Sequence, residues 1–172
     1  MDITLTAREL ELARIAAHIR NDVKEARGVT SKKIYDKRGE WDTHYMGLCA
    51  EIAVAKVLET GVYLEFGLKG DSGVGDLLVN GWSIQVKCGA KEGYRYALFG
   101  EADLFKADFG VLVYLLSENT YRIHGIISRK KFRQESEALD WGYGKTTVAQ
   151  PELFTPLDSP MVQRLLKGGK RE

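Results

Sequence analysis

Four residues pose the chemical question in this sequence. Asp76, Gln85 and Lys87 lie within the stretch GDLLVNGWSIQVK at residues 75–87, and Glu51 stands in the stretch GLCAEIAVAKVL at residues 47–58. Two carboxylates and a carboxamide are oxygen donors, and the fourth group is a cation. Such a set can bind a hard metal ion, contact phosphate, or neutralise its own charges.

The hairpin is the first element that must position them. Asn80-Gly81 between two apolar-rich runs predicts a two-residue type I′ turn, because that loop needs positive φ at both central positions. With those two residues as the loop, Val79 faces Trp82, Leu78 faces Ser83, Leu77 faces Ile84 and Asp76 faces Gln85. Opposed residues share a face, and side chains alternate along each strand. One face then carries Leu77, Val79, Trp82, Ile84 and Val86, and the other carries Asp76, Leu78, Ser83, Gln85 and Lys87. Carboxylate, carboxamide and ammonium gather at the open end of the hairpin. A half-buried hairpin whose second face is simply wet would show the same pattern.

Glu51 must come from a helix. From Met46 to Ala55 every residue except Glu51 is apolar, glycine or cysteine, so a helix over residues 44–59 is expected to be buried nearly all round. Burying a lone carboxylate costs several kcal/mol unless it is hydrogen-bonded, paired or metal-bound. Glu51 therefore needs a partner, either a structural Arg or Lys or a functional ion.

The remaining chain supplies the frame. Residues 6–27 read as an amphipathic helix, with Thr6 and Glu9 at capping-box spacing. Leu12, Ile15, Ala16, Ile19 and Val23 form its apolar stripe, and Gly28 suits its end. Residues 29–43 form a polar connection whose Lys32, Lys33, Lys37 and Arg38 make either a solvated loop or a phosphate-contacting arm. Residues 89–106 read as loop, with Tyr94, Arg95 and Tyr96 clustered. Residues 109–116 are a continuous apolar run expected to form a buried strand, followed by a turn and a strand at 121–127. Ser128 caps a short basic helix that begins with Arg129 and Lys130. Asp158-Ser159-Pro160 opens a last helix over 159–167. The expected architecture is α/β, one domain over 1–172, with a central mixed β-sheet flanked by helices.

Composition bounds the function classes. The chain has 172 residues, 44% hydrophobic and 28% charged, with a net charge of +1. Bulk electrostatics therefore does not announce a nucleic-acid partner, and local patches must carry any such case. No apolar run reaches membrane-spanning length, and the polar N-terminus does not read as a signal peptide. Cys49 and Cys88 offer neither a disulfide framework nor metal-ligand spacing, so both are expected reduced, in a cytoplasmic protein.

A glutamate on a buried helix, an aspartate before a hairpin, then acid-or-amide, any residue, lysine: this order resembles the PD-(D/E)XK, or restriction endonuclease-like, nuclease superfamily. The matching residues are Glu51, Asp76, Gln85 and Lys87, and the likeness covers residues 44–133. The chain departs from the pattern twice, with Gly75 before the aspartate and Gln85 where an acid is usual. The resemblance implies a Mg²⁺- or Mn²⁺-dependent endonuclease acting on DNA. Asp76, Glu51, the Gln85 side-chain oxygen and the Val86 backbone carbonyl would hold the ion. Lys87 would orient or deprotonate water, or stabilise the phosphate. Lys32, Lys33, Lys37, Arg38, Arg95, Arg129 and Lys130 are candidate DNA contacts. The size and plainness of the chain resemble a phage-encoded or mobile-element protein, which would work in host cytoplasm. A homodimer is allowed by the sequence but not required. Two other classes stay open: a non-catalytic nucleic-acid-binding module on the same fold, and an interaction protein in which Glu51 and Lys87 form a buried ion pair.

Overall fold

The computed structural model describes residues 1–26, 28, 40–62, 75–99, 102–140 and 145–169. In chain order its elements are β1 (Asp2–Thr4), α1 (Ala7–Glu25), α2 (Glu40–Val57), β2 (Leu77–Val79), β3 (Trp82–Gly89), β4 (Tyr96–Phe99), β5 (Phe109–Ser117), β6 (Thr120–Ser128), α3 (Arg129–Glu135), β7 (Glu137–Asp140), β8 (Lys145–Ala149) and α4 (Pro160–Lys167). The fold is α/β. Strands β1, β6, β5, β3 and β2, in that order, form a mixed five-stranded sheet, with β3 and β5 parallel and the other pairs antiparallel. A second, antiparallel sheet runs β4, β8, β7. Among the described residues no helix is long and apolar enough to cross a membrane.

Local chemistry explains the element starts. The Glu9 N–H donates to Thr6 Oγ1 at 3.2 Å while the Thr6 N–H donates to the Glu9 carboxylate at 2.6 Å, a reciprocal cap on α1. Ser128 and Ser159 cap α3 and α4 through their hydroxyls, with Pro160 in the first turn of α4. The hairpin register is Leu77 with Ile84, Leu78 with Ser83 and Val79 with Trp82, and Asn80 and Gly81 have φ of 48° and 85°. That is the geometry the Asn-Gly turn requires.

Each face of the large sheet has its own core. On one, Ile84, Val86, Val111 and Val113 pack against Leu48, Ala50, Ala53 and Val54 of α2, with α1 stacked on α2. On the other, Leu112, Tyr114 and Ile127 meet Tyr96, Phe105, Phe132 and Phe154. The expected mixed sheet has α2 on one face and α3 on the other, and the small sheet adds a layer on the second face that was not expected; its β4 lies in the stretch 89–106 expected to be loop. Strands β7 and β8 were not foreseen either, since their short, polar-rich segments carry little alternation and depend on pairing with each other and with β4.

Helix α1 holds a second correction. Its buried face is Ala13, Ala16 and Ala17, whereas Leu12, Ile15 and Ile19 of the expected core stripe are exposed. Small side chains let α1 approach α2 closely, and the large residues are left outside. Among the described residues Cys49 and Cys88 form no disulfide.

Candidate active site

Gly75 sets the entry to the hairpin. Its φ is +94°, and a Cβ there would stand 2.7 Å from the Ile84 carbonyl oxygen. Glycine alone accepts both conditions, which accounts for its place where the resembled pattern has another residue. The close approach brings the Asp76 N–H to the Ile84 carbonyl at 2.8 Å. Asp76 therefore lies beside Ile84 and Val86 and does not continue the ladder register opposite Gln85.

Strand β2 begins pairing only at Leu77, so among the described residues no strand residue pairs with Val86 on that edge. The Asp76 carboxylate takes the place of one: the Val86 N–H donates to Asp76 Oδ2 at 2.7 Å. The N–H and C=O of a strand residue point to the same edge, so the Val86 carbonyl also faces the Asp76 side.

Glu51 is buried on α2 at 6% exposure. Its direct partner is Arg20 of α1, whose Nη1 and Nη2 donate to the two carboxylate oxygens at 3.2 and 3.3 Å. These are long for charge-assisted bonds. Burial and then the charge of Asp76 outweigh the opposing pull of Arg20 and Lys87, and the Glu51 carboxyl is pushed up to about 7. Lys87 is partly buried and makes no hydrogen bond or ion pair of its own among the described residues. Its ammonium acts on Glu51 through space. The fold therefore brings Glu51, Asp76 and Lys87 into one electrostatic neighbourhood. A direct Glu51–Lys87 ion pair, the alternative raised from the sequence, is replaced by Glu51–Arg20.

Gln85 alternates with Ile84 and Val86 and points to the other face of the sheet. There Gln85 Oε1 accepts from the hydroxyl of Tyr96 at 3.2 Å. Gly110 is the register partner of Gln85, and a Cβ on it would lie 2.8 Å from the Tyr96 ring. The missing side chain makes room for the tyrosine. An amide oxygen has two lone pairs, so Tyr96 occupies one and orients the other.

Of the seven candidate DNA contacts, three are among the described residues. Lys32, Lys33, Lys37 and Arg38 lie outside the described residues. Arg95 and Lys130 are exposed. Arg129 is spent on structure: its guanidinium donates to the Lys106 carbonyl at 2.7 Å and to buried Asp108 at 3.4 Å. Asp108 in turn accepts from the N–H and hydroxyl of Ser83, pinning the start of β3 to that of β5.

Two residues of the site escaped sequence reasoning. Arg20 had a signal, since it continues the alanine face Ala13, Ala16, Ala17 at helical spacing and sets a charge on it. Tyr96 had none, because its partner lies on another strand.

The donor set suits a hard divalent cation. Mg²⁺ keeps several waters and needs only one or two carboxylates. Burial first, and then the charge of Asp76, raises Glu51 toward neutrality, and a cation bound here would oppose that shift. Among the described residues no three His, Cys, Asp or Glu side chains gather into a metal-binding group, so carbonyl, amide and water oxygens would complete the shell. No family model matches the chain, and no curated protein does.

Proposed function

We propose that the chain is a nuclease that hydrolyses DNA phosphodiester bonds with Mg²⁺ or Mn²⁺, on a restriction endonuclease-like core. The observation that carries this reading is the joint field of Glu51, Asp76 and Lys87 at the mouth of the hairpin, two acids and an ammonium beside the strand edge that Asp76 caps at Val86.

Asp76 and Glu51 would hold the ion with the Val86 carbonyl, and the Gln85 oxygen, whose side chain leaves β3 on the opposite face toward Tyr96, would complete the set only by reaching round the strand edge. The bound ion would supply charge neutralisation at the phosphate and a water of lowered pKa. Lys87, with no competing partner among the described residues, would present a point charge to a non-bridging phosphate oxygen or to the attacking water. Arg20 holds Glu51 in place, and its two bonds would compete with the ion for the carboxylate. Tyr96 orients the amide of Gln85.

The Arg20–Glu51 pair also favours a second reading, a non-catalytic protein on this fold in which Glu51 is a structural ion-pair partner. Incubation with linear, nicked, single-stranded and four-way-junction DNA, with and without Mn²⁺, separates the two. Metal-dependent cleavage of any of these supports the nuclease. No cleavage of any form at saturating metal leaves the structural reading.

A further inference from the structure

Helix α1 has a seam the fold does not use. Arg8, Leu12, Ile15, Ile19 and Asp22 recur at intervals of four, three, four and three residues, the spacing of a coiled-coil contact line. Their faces point away from the alanine face that packs on α2. Leu12 is 56% exposed, Ile15 48% and Ile19 39%. Three large apolar side chains in line on one helix amount to a patch and not to scattered surface residues. The seam also walls an apolar groove of about 550 Å³ whose far side is Leu48 and Ile52 of α2.

The two ends of the seam carry opposite charge. Arg8 stands at one end and Asp22 at the other; both are exposed, and neither has an ion pair among the described residues. A two-fold interface is self-complementary, residue i meeting j and j meeting i. An antiparallel pairing of α1 with itself, centred on Ile15, sets Leu12 against the second copy's Ile19. It also sets Arg8 against the second copy's Asp22, at both ends. A parallel pairing would instead put Arg8 on Arg8 and Asp22 on Asp22.

We infer that α1 is the interface of a homodimer, paired antiparallel with the α1 of a second copy. Its centre is Ile15, and two Arg8–Asp22 contacts close it. The contact is one helix wide, at the small end of specific interfaces, so the dimer is expected at a Kd on the order of 10 µM.

Sedimentation equilibrium of the full chain across that concentration range reads the dimer directly. Ile15→Asp puts two carboxylates together at the axis and is expected to weaken association by at least about 100-fold. Arg8→Glu alone is expected to weaken it about tenfold, since both symmetric contacts turn repulsive. Adding Asp22→Arg to Arg8→Glu restores the native value. The charge variants are on the surface, so the test does not depend on a variant that fails to fold. A chain that stays monomeric up to about 1 mM overturns the inference. So does a dimer indifferent to Ile15→Asp, or a double charge exchange no tighter than the single one.

Discussion

The Arg20 guanidinium spans both oxygens of Glu51 at 3.2 and 3.3 Å, yet the carboxyl is pushed up to about 7. Burial and the neighbouring Asp76 prevail over the ion pair. In the unfolded chain the group ionises near its ordinary 4.5, so between that pH and about 7 the native state binds the extra proton. Stability therefore falls as pH rises through this window, and the loss is complete above it. Glu51→Gln keeps an acceptor for Arg20 and removes the charge. It is expected to be more stable than the native chain by roughly 2 kcal/mol at pH 8 and no more stable at pH 4.5. Thermal unfolding of both proteins across that range decides it; a difference independent of pH would mean that Glu51 titrates normally.

Asp76 serves the strand edge and, in the proposed function, the ion. Asp76→Asn retains an oxygen for the Val86 N–H, whereas Asp76→Ala strands that donor. Both variants should lose metal binding and cleavage. Only the alanine variant should also lose stability, by about 1–2 kcal/mol. Denaturant unfolding alongside metal titration separates the roles, and equal stability of the two variants would remove the structural one.

Lys87 tests the chemistry most directly. It holds nothing else together among the described residues, so Lys87→Ala should leave folding and DNA affinity nearly unchanged while reducing turnover by at least about 1000-fold. Single-turnover cleavage and a binding titration on the same DNA read both quantities. Cleavage near the native rate would exclude Lys87 from the reaction.

Gln85→Glu adds a charge at nearly constant shape and still accepts from the Tyr96 hydroxyl. Metal affinity rises with ligand charge, so half-maximal cleavage is expected at about tenfold less Mg²⁺. Tyr96→Phe should have the opposite effect on the native amide, because its orientation is lost. If neither variant shifts the Mg²⁺ or Mn²⁺ requirement, position 85 is a packing residue tied to Tyr96 and not a ligand.

What was legible in the sequence was local. The Asn80-Gly81 turn, the Thr6–Glu9 cap, the Ser128 cap and the Ser159-Pro160 start each act within about four residues, so chain neighbours alone specify them. The buried setting of Glu51 was legible too, because an all-round apolar helix has no wet side on which to place it. Three things required the tertiary structure. Which stripe of α1 is buried was decided by how closely alanines let it approach α2, which outweighed the size of Leu12, Ile15 and Ile19. The partners of Glu51 and Gln85 were decided by packing across 31 and 11 residues of chain, a separation over which no periodic pattern carries information. The small sheet formed because β4, β7 and β8 complete one another's hydrogen bonds, a gain none of the three segments has alone.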